Sequence, residues 1–248
     1  MTSAAKAQTT QPGAVRRRVE ACDWDAVAAG LDRDGYAVTT TAVLSRAECK
    51  WLRDQFQEDA TFRSTIDMAR YRFGEGRYRY YAYPLPATVA ELRDAAYPPL
   101  AALANTWATR LGEAPSHPPH LQQLVDVCRA AGQTKPTPLI LRYERGGYNN
   151  LHQDLYGDVA FPLQLTVALT EPGVDFTGGE NLFVEQRPRA QSRGTSVAVP
   201  LGHAVIFPTR YRPVAGSRHH YRALMRHGIS TVTSGVRFTL GVIFHEAR

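Results

Sequence analysis

The sequence predicts an α+β chain, mainly β, in which helices come first and a double-sheet barrel of strands comes second. Three observations predict it. Before residue 137 the apolar side chains fall at helical spacing and sit between capping signals. From Thr137 that spacing stops, and β-rich runs recur between Gly/Pro/Asn clusters: TPLILRY, FPLQLTVALT, NLFVEQ, TSVAVPL, HAVIFP, YRALMRHGIS and VRFTLGVIF. No helical run interrupts them, so they read as a sandwich or barrel.

The chain has 248 residues, 44% of them hydrophobic, enough for one shared core. Residues 1–20 are expected to be a basic, solvated tail, and residues 21–248 a single domain. Within it, 21–136 would supply helical support and a flap, and 137–248 the strand-rich core. No run approaches eighteen apolar residues, and the opening MTSAAKAQTTQPGAVRRR lacks the apolar stretch of a secretory signal. Cys22, Cys49 and Cys128 are widely spaced, which suggests neither a disulfide framework nor a zinc cage. They are expected to be core or half-buried thiols in a cytoplasmic protein. The net charge of +6 favours acidic or polyanionic partners.

In chain order, Trp24, Val27, Ala28 and Leu31 share one helix face that Gly35 closes, and Tyr36–Thr41 is β-branched and reads as a strand. Ser45 with Glu48 forms a capping box and opens a helix carrying Trp51, Leu52 and Phe56. In residues 67–83, Arg70, Arg72, Arg77 and Arg79 alternate with Tyr71, Phe73, Tyr78, Tyr80, Tyr81 and Tyr83 around Gly-Glu-Gly. That pattern predicts a hairpin or extended flap. Its arginines either meet phosphate or carboxylate while the rings stack, or lie solvated over inward aromatics. Residues 87–111 are helical, with Pro98-Pro99 expected to break or restart the helix. His117 and His120 fall in a Pro-rich link and read as loop residues, followed by a short helix over 120–131.

The stretch LRYERGGYNNLHQD ends in His152-Gln153-Asp154. On a strand, residues two apart share a face, so an imidazole and a carboxylate would look into one space. They are two legs of a 2-His-1-carboxylate set. The third must come from His203, His219, His220, His227 or His245. His227 stands out, because Arg237 follows it by ten residues across a Ser234-Gly235 turn, with Thr239 on the same face as Arg237. A guanidinium is the natural receptor for a carboxylate.

The ordered set Tyr143-x-x-Gly146-Gly147-Tyr148-x-x-x-His152-x-Asp154, Phe176-Thr177-Gly178-Gly179-Glu180, Gly202-x-Ala204-x-x-Phe207, His227 and Arg237 resembles the Fe(II)/2-oxoglutarate-dependent dioxygenases. It is most similar to their prolyl-hydroxylase branch. Within that superfamily HQDLYGD, FPLQ, DFTGGE, EQRPRAQSR and RHGIS resemble a bacterial oxygenase family linked to oxidative demethylation of damaged DNA. The resemblance covers residues 137–248 strongly and 23–83 weakly.

The resemblance implies a double-stranded β-helix (jelly-roll, cupin-like) catalytic core with the N-terminal helices packed on it. It implies His152, Asp154 and His227 as ligands of Fe(II), and Arg237 as partner of the distal carboxylate of 2-oxoglutarate, with Thr239 and Tyr143 as hydrogen-bonding helpers. Gly178-Gly179 becomes a strand connection. The implied reaction consumes O2, turns 2-oxoglutarate into succinate and CO2, and hydroxylates a C–H bond. Asp154 stands where halogenating relatives carry a small residue, which favours hydroxylation or demethylation. For substrate, the positive charge, the 67–83 segment and Arg187, Arg189 and Arg193 point to nucleic acid, with Arg70, Arg72, Arg77, Arg79, Tyr80 and Tyr148 as contacts. The other readings are a small-molecule or peptidyl hydroxylase, whose arginines clamp a carboxylate, and a cupin-like binding module without turnover.

Overall fold

Short strands after residue 137 can bury their apolar side chains only by pairing with one another, and they do so in two facing antiparallel sheets. The structure is a computed structural model that describes residues 11–248; the part of the expected tail before residue 11 lies outside the described residues. Residues 14–20, expected to belong to it, are helical instead. Ala14–Glu20 forms helix α1, because Val15 and Val19, one turn apart, are buried in the main core, where α1 packs on the long helix α4 described below.

Helix α2 (Trp24–Asp34) begins at Asp23, whose Oδ1 accepts from the Ala26 N–H, and ends at Gly35 in the left-handed conformation. The run 36–41 yields only the two-residue edge strand β1 (Ala37–Val38). Helix α3 (Arg46–Asp54) carries the expected capping box between Ser45 and Glu48. Strands β2 (Phe62–Asp67), β3 (Gly74–Glu75) and β4 (Arg77–Tyr81) follow. Helix α4 (Ala87–Arg110) runs unbroken through Pro98-Pro99, contrary to the expected interruption. Pro98 is exposed and Pro99 half-buried, whereas Leu92, Ala96, Tyr97 and Leu100 on the other face are buried in the main core. The burial of that face offsets the lost backbone bonds, at roughly 1.5–3 kcal/mol for each large apolar side chain. Helix α5 (Leu121–Ala130) completes the helical layer.

The strand-rich part comprises β5 (Leu139–Glu144), β6 (Tyr148–His152), β7 (Leu163–Ala168), β8 (Phe176–Gly178), β9 (Asn181–Gln186), β10 (Arg193–Val197), β11 (Ala204–Pro208), β12 (Tyr211–Ala215), β13 (His220–Ile229) and β14 (Val232–Ile243). The major sheet has the order β1-β11-β7-β14-β5-β4-β2, with β8 beside β14. The minor sheet has the order β10-β9-β13-β6-β3, with β12 beside β13. All these pairings are antiparallel, as a jelly roll requires.

The helices cover the outer face of the major sheet, and this sorts its side chains. On β14, Leu240 and Val242 enter the helix-packed core, while Arg237, Thr239, Gly241 and Ile243 line the space between the sheets. On β7, Leu163, Leu165 and Val167 face the helices, and Gln164 and Thr166 face that inner space. The period-2 alternation of strands therefore delivers a polar set to an interior whose other face is apolar.

The 67–83 segment is not a free flap. Strand β4 is zipped between β2 and β5 inside the major sheet, and Gly74–Glu75, expected at the tip of a hairpin, instead pairs with β6 of the minor sheet. The turn between His227 and Arg237 also differs: the break lies at Ser230-Thr231, and Ser234-Gly235 falls inside β14. No helix is long and apolar enough to cross a membrane among the described residues.

Candidate metal centre and co-substrate pocket

Strands β13 and β6 are neighbours, and their register sets His227 directly opposite His152. The rings lie 4.2 Å apart, centre to centre. Pairing shifts by one residue between His227 and Ile229, a bulge of the kind that re-aims side chains beside active sites. Asp154 lies beyond the end of β6 and is buried, so it reaches the histidines by leaving the strand and not by sharing a strand face. Its Oδ2 is 3.1 Å from His227 Nε2 and its Oδ1 3.6 Å from His152 Nε2. The ligand atoms of the three residues all lie within 4.8 Å of one another. Among the described residues this is the one such His/Cys/Asp/Glu cluster; His219 and His220 lie elsewhere, at the β12–β13 turn.

The donor chemistry fits a divalent metal. His152 Nδ1 is 2.7 Å from the Asn150 carbonyl, which requires the proton on Nδ1 and leaves the Nε2 lone pair free. Burial, with His227 beside it, pushes the His152 imidazole below its ordinary value and so favours the neutral, ligating form. Burial alone would raise the Asp154 carboxyl. The His227 hydrogen bond, the two imidazoles and a hydrogen bond from Tyr156 outweigh burial and hold it well below the usual carboxylate range.

Across the cavity, Arg237 on β14 and Tyr143 on β5 are register partners in the major sheet, and the guanidinium carbon lies 5.6 Å from the Tyr143 ring centre. Arg237 is 4% exposed and has no ion-pair partner among the described residues; its one side-chain hydrogen bond runs from Nη2 to Asn181 Oδ1 at 3.2 Å. Burial pushes it down to about 10. Burying a guanidinium without an ion-pair partner is costly. Thr239 Oγ1, Gln164 Nε2 and the Tyr143 hydroxyl are buried in the same wall without a hydrogen-bond partner. The two left-handed glycines Gly178 and Gly179 make room for this arrangement. A Cβ on Gly179 would stand 3.0 Å from Arg237 Cδ, and one on Gly178 would stand 2.2 Å from the Thr231 carbonyl.

Between these walls lies a cavity of about 380 Å³, within the usual range for ligand sites. Met68, Phe73, Tyr78, Tyr80, Phe183 and Phe207 give it an aromatic and apolar lining. Of the expected substrate contacts, Arg72 and Tyr80 line it. Arg70 and Arg77 are exposed on the same segment, and half-buried Tyr148 pairs with Glu75 without lining the cavity. Arg79 belongs to the scaffold: its guanidinium bonds the Phe56 carbonyl and Asp59 and lies 4.5 Å over the Phe62 ring. Arg187 is tied to Glu185. Three site residues escaped the sequence reading. Asn181 orients Arg237, Gln164 offers an unpaired amide, and the Tyr156 hydroxyl donates to Asp154 Oδ1 at 2.7 Å. Only Tyr156 had a local signal, lying two residues beyond the ligand carboxylate.

Residues 76–247, spanning both walls of this cavity, match a family model described as an oxygenase catalysing oxidative methylation of damaged DNA. The chain belongs to this oxygenase family. An uncharacterized protein of Mycobacterium tuberculosis, found in strains H37Rv and CDC 1551, is 48% identical over 164 residues, 66% of this chain and 70% of that protein. The fold is similar to that of a crystal structure of a Pseudomonas putida prolyl-4-hydroxylase, with a TM-score of 0.53 and 14% identity over 91% of this chain and 99% of that one. That likeness confirms the jelly-roll core. The family and the His-Asp-His cluster together make the protein an oxidoreductase of the Fe(II)/2-oxoglutarate-dependent oxygenase class.

Proposed function

We propose that this oxygenase removes N-linked methyl groups from damaged nucleic-acid bases. His152, Asp154 and His227 would hold Fe(II), and Arg237, with Thr239 and Tyr143 beside it, would hold 2-oxoglutarate by its distal carboxylate. The observation that carries the co-substrate assignment is the buried Arg237, which has no ion-pair partner among the described residues and lies across one cavity from the ligand cluster. The three protein ligands would leave open positions on the metal at which O2 would be activated. One oxygen atom enters succinate as 2-oxoglutarate loses CO2, and the other enters the substrate C–H bond. Where that carbon is an N-methyl group, the hydroxymethyl product loses formaldehyde and leaves N–H. This chemistry turns the methylation of the family description into methyl removal.

The residues divide the remaining work by position. The minor sheet presents the ligands and the major sheet the anion receptor, so the co-substrate spans the gap between the sheets. Tyr78 and Tyr80 give the cavity aromatic walls for a planar group, as an extruded base requires. Three buried free cysteines suit a reducing compartment, for which we propose the cytoplasm.

The test supplies Fe(II), ascorbate and 2-oxoglutarate with an N-methylated single-stranded oligonucleotide, and measures succinate and formaldehyde together. Matched production of the two, lost in His152→Ala and His227→Ala, is expected. Succinate without formaldehyde on any methylated oligonucleotide would transfer the site to a small-molecule or peptide substrate.

A further inference from the structure

The backbone takes an unusual turn beside the cavity mouth. Arg72 has a φ of 60°, a left-handed conformation that a long side chain rarely adopts. It is held there by β6: Asn150 Nδ2 donates to the Arg72 carbonyl at 3.0 Å, and the Asn150 N–H donates to the Phe73 carbonyl at 2.8 Å. Met68 is buried beneath the turn, and its carbonyl accepts from both the Tyr71 and the Phe73 N–H groups. The turn is therefore fixed to the strand that ends in His152.

What this scaffold presents is unexpected for a surface. Tyr71 is 57% exposed and Phe73 46% exposed, and their rings stack with centres 5.5 Å apart and planes 20° from parallel. Phe73 and Arg72 also line the cavity, so the pair stands at its rim. Leu151, exposed on the neighbouring strand, lines the cavity as well. Arg70, Arg72 and Arg77 on this segment have no ion-pair partner among the described residues; of its acids, Asp67 accepts from the Ala69 N–H and Glu75 remains exposed. Preorganised planar rings with unpaired guanidiniums match a chain of planar bases joined by phosphates. The ring faces suit stacking by bases, and the guanidiniums suit the phosphates between them.

We infer that the Tyr71–Phe73 pair is a stacking platform for the nucleotide next to the one in the cavity, with Arg70, Arg72 and Arg77 meeting the flanking phosphates of a single strand. The inference rests on the nucleic-acid reading above. A free base face is needed, and in a duplex both faces are already stacked on neighbours. The platform thus selects single strands, or a locally opened site, independently of base identity.

Fluorescence anisotropy of a labelled, unmethylated single-stranded oligodeoxynucleotide tests this with the full chain. Replacing both rings in Y71A/F73A is expected to weaken binding about 10–100-fold, the size of stacking losses on such platforms. Y71F/F73W, which keeps both rings, should bind within about threefold of the wild type. Thermal unfolding of each variant checks that the exposed substitutions leave the fold intact. Binding to a duplex of the same sequence should be weaker than to the single strand. If the wild type binds and Y71A/F73A binds equally well, or the duplex is preferred, the platform is overturned while the nucleic-acid reading stands. If the wild type binds neither form, both fall together.

Discussion

His227 on β13 and His152 on β6 are register partners in the minor sheet, just as Arg237 on β14 and Tyr143 on β5 are register partners in the major one. Each sheet thus contributes one cross-strand pair, and the two pairs face each other over one cavity. The histidine pair is closed by Asp154, and Arg237 is buried beside Asn181, Gln164 and Thr239.

For Arg237 the expected consequence is specific to 2-oxoglutarate. Arg237→Gln should raise the KM for 2-oxoglutarate about 10–100-fold, the loss of a charge-assisted bond of roughly 1.5–3 kcal/mol. Arg237→Lys should recover only part of it, since an ammonium lacks the planar fork. Succinate formation measured across 2-oxoglutarate concentrations reads both. An unchanged KM would place the carboxylate elsewhere.

Tyr156 holds one oxygen of Asp154, leaving the other turned toward His227. Such supporting bonds typically matter about tenfold or more in metal affinity. Tyr156→Phe should therefore weaken Mn(II) binding about tenfold, read by calorimetry without co-substrate so that turnover plays no part. Equal affinity in the two proteins would show that the carboxylate needs no such support.

A buried ion pair ties the C-terminus to α4. Arg93 and Glu246 are 2% and 1% exposed and 2.8 Å apart, with the Tyr83 hydroxyl donating to the same carboxylate oxygen and Arg93 donating to the Phe244 carbonyl. Arg93→Leu leaves Glu246 buried without a counter-charge and should cost about 3–5 kcal/mol in urea unfolding. Adding Glu246→Leu should restore most of that loss. Additive losses would refute the pairing.

Glu48 sets an acid limit on the N-terminal layer. Its burial would raise the carboxyl, but the Ser45 N–H, the Arg18 guanidinium and the Ser45 hydroxyl hold it below its ordinary value of 4.5. A folded value below the unfolded one means that the carboxylate stabilises the fold above pH 4.5, and that this contribution fades as pH falls below it. Glu48→Gln should lower the unfolding midpoint at pH 7 and converge on the wild type in acid. A gap that widens in acid would reverse the assignment.

Local signals in the chain were legible where the physics is local. The Ser45/Glu48 box and the Gly35 that closes α2 act within one turn of backbone, and the structure has them as read. The β-rich runs marked the strands, because Gly/Pro/Asn clusters must separate short pairing segments. Where the expectation failed, a distant partner decided the outcome. Pro98-Pro99 stays helical because the opposite face of α4 is buried, Arg79 is drawn into the Phe56–Phe62 scaffold, and Gly74–Glu75 pairs with β6 instead of turning back.

The site divides in the same way. The residue types and their order, His152, Asp154, His227 and then Arg237, were legible in the sequence, because the proposed metal ligation and carboxylate recognition need particular functional groups. Sequence spacing could not say that Asp154 would act from beyond the strand end, since a bulge in the β6–β13 pairing is a property of two strands and not of one. Nor could it say which face of each strand would meet the cavity. Strands buried on both faces read as nearly uniform apolar runs, and only the helices packed on the outside of the major sheet direct Arg237, Thr239 and Gln164 inward.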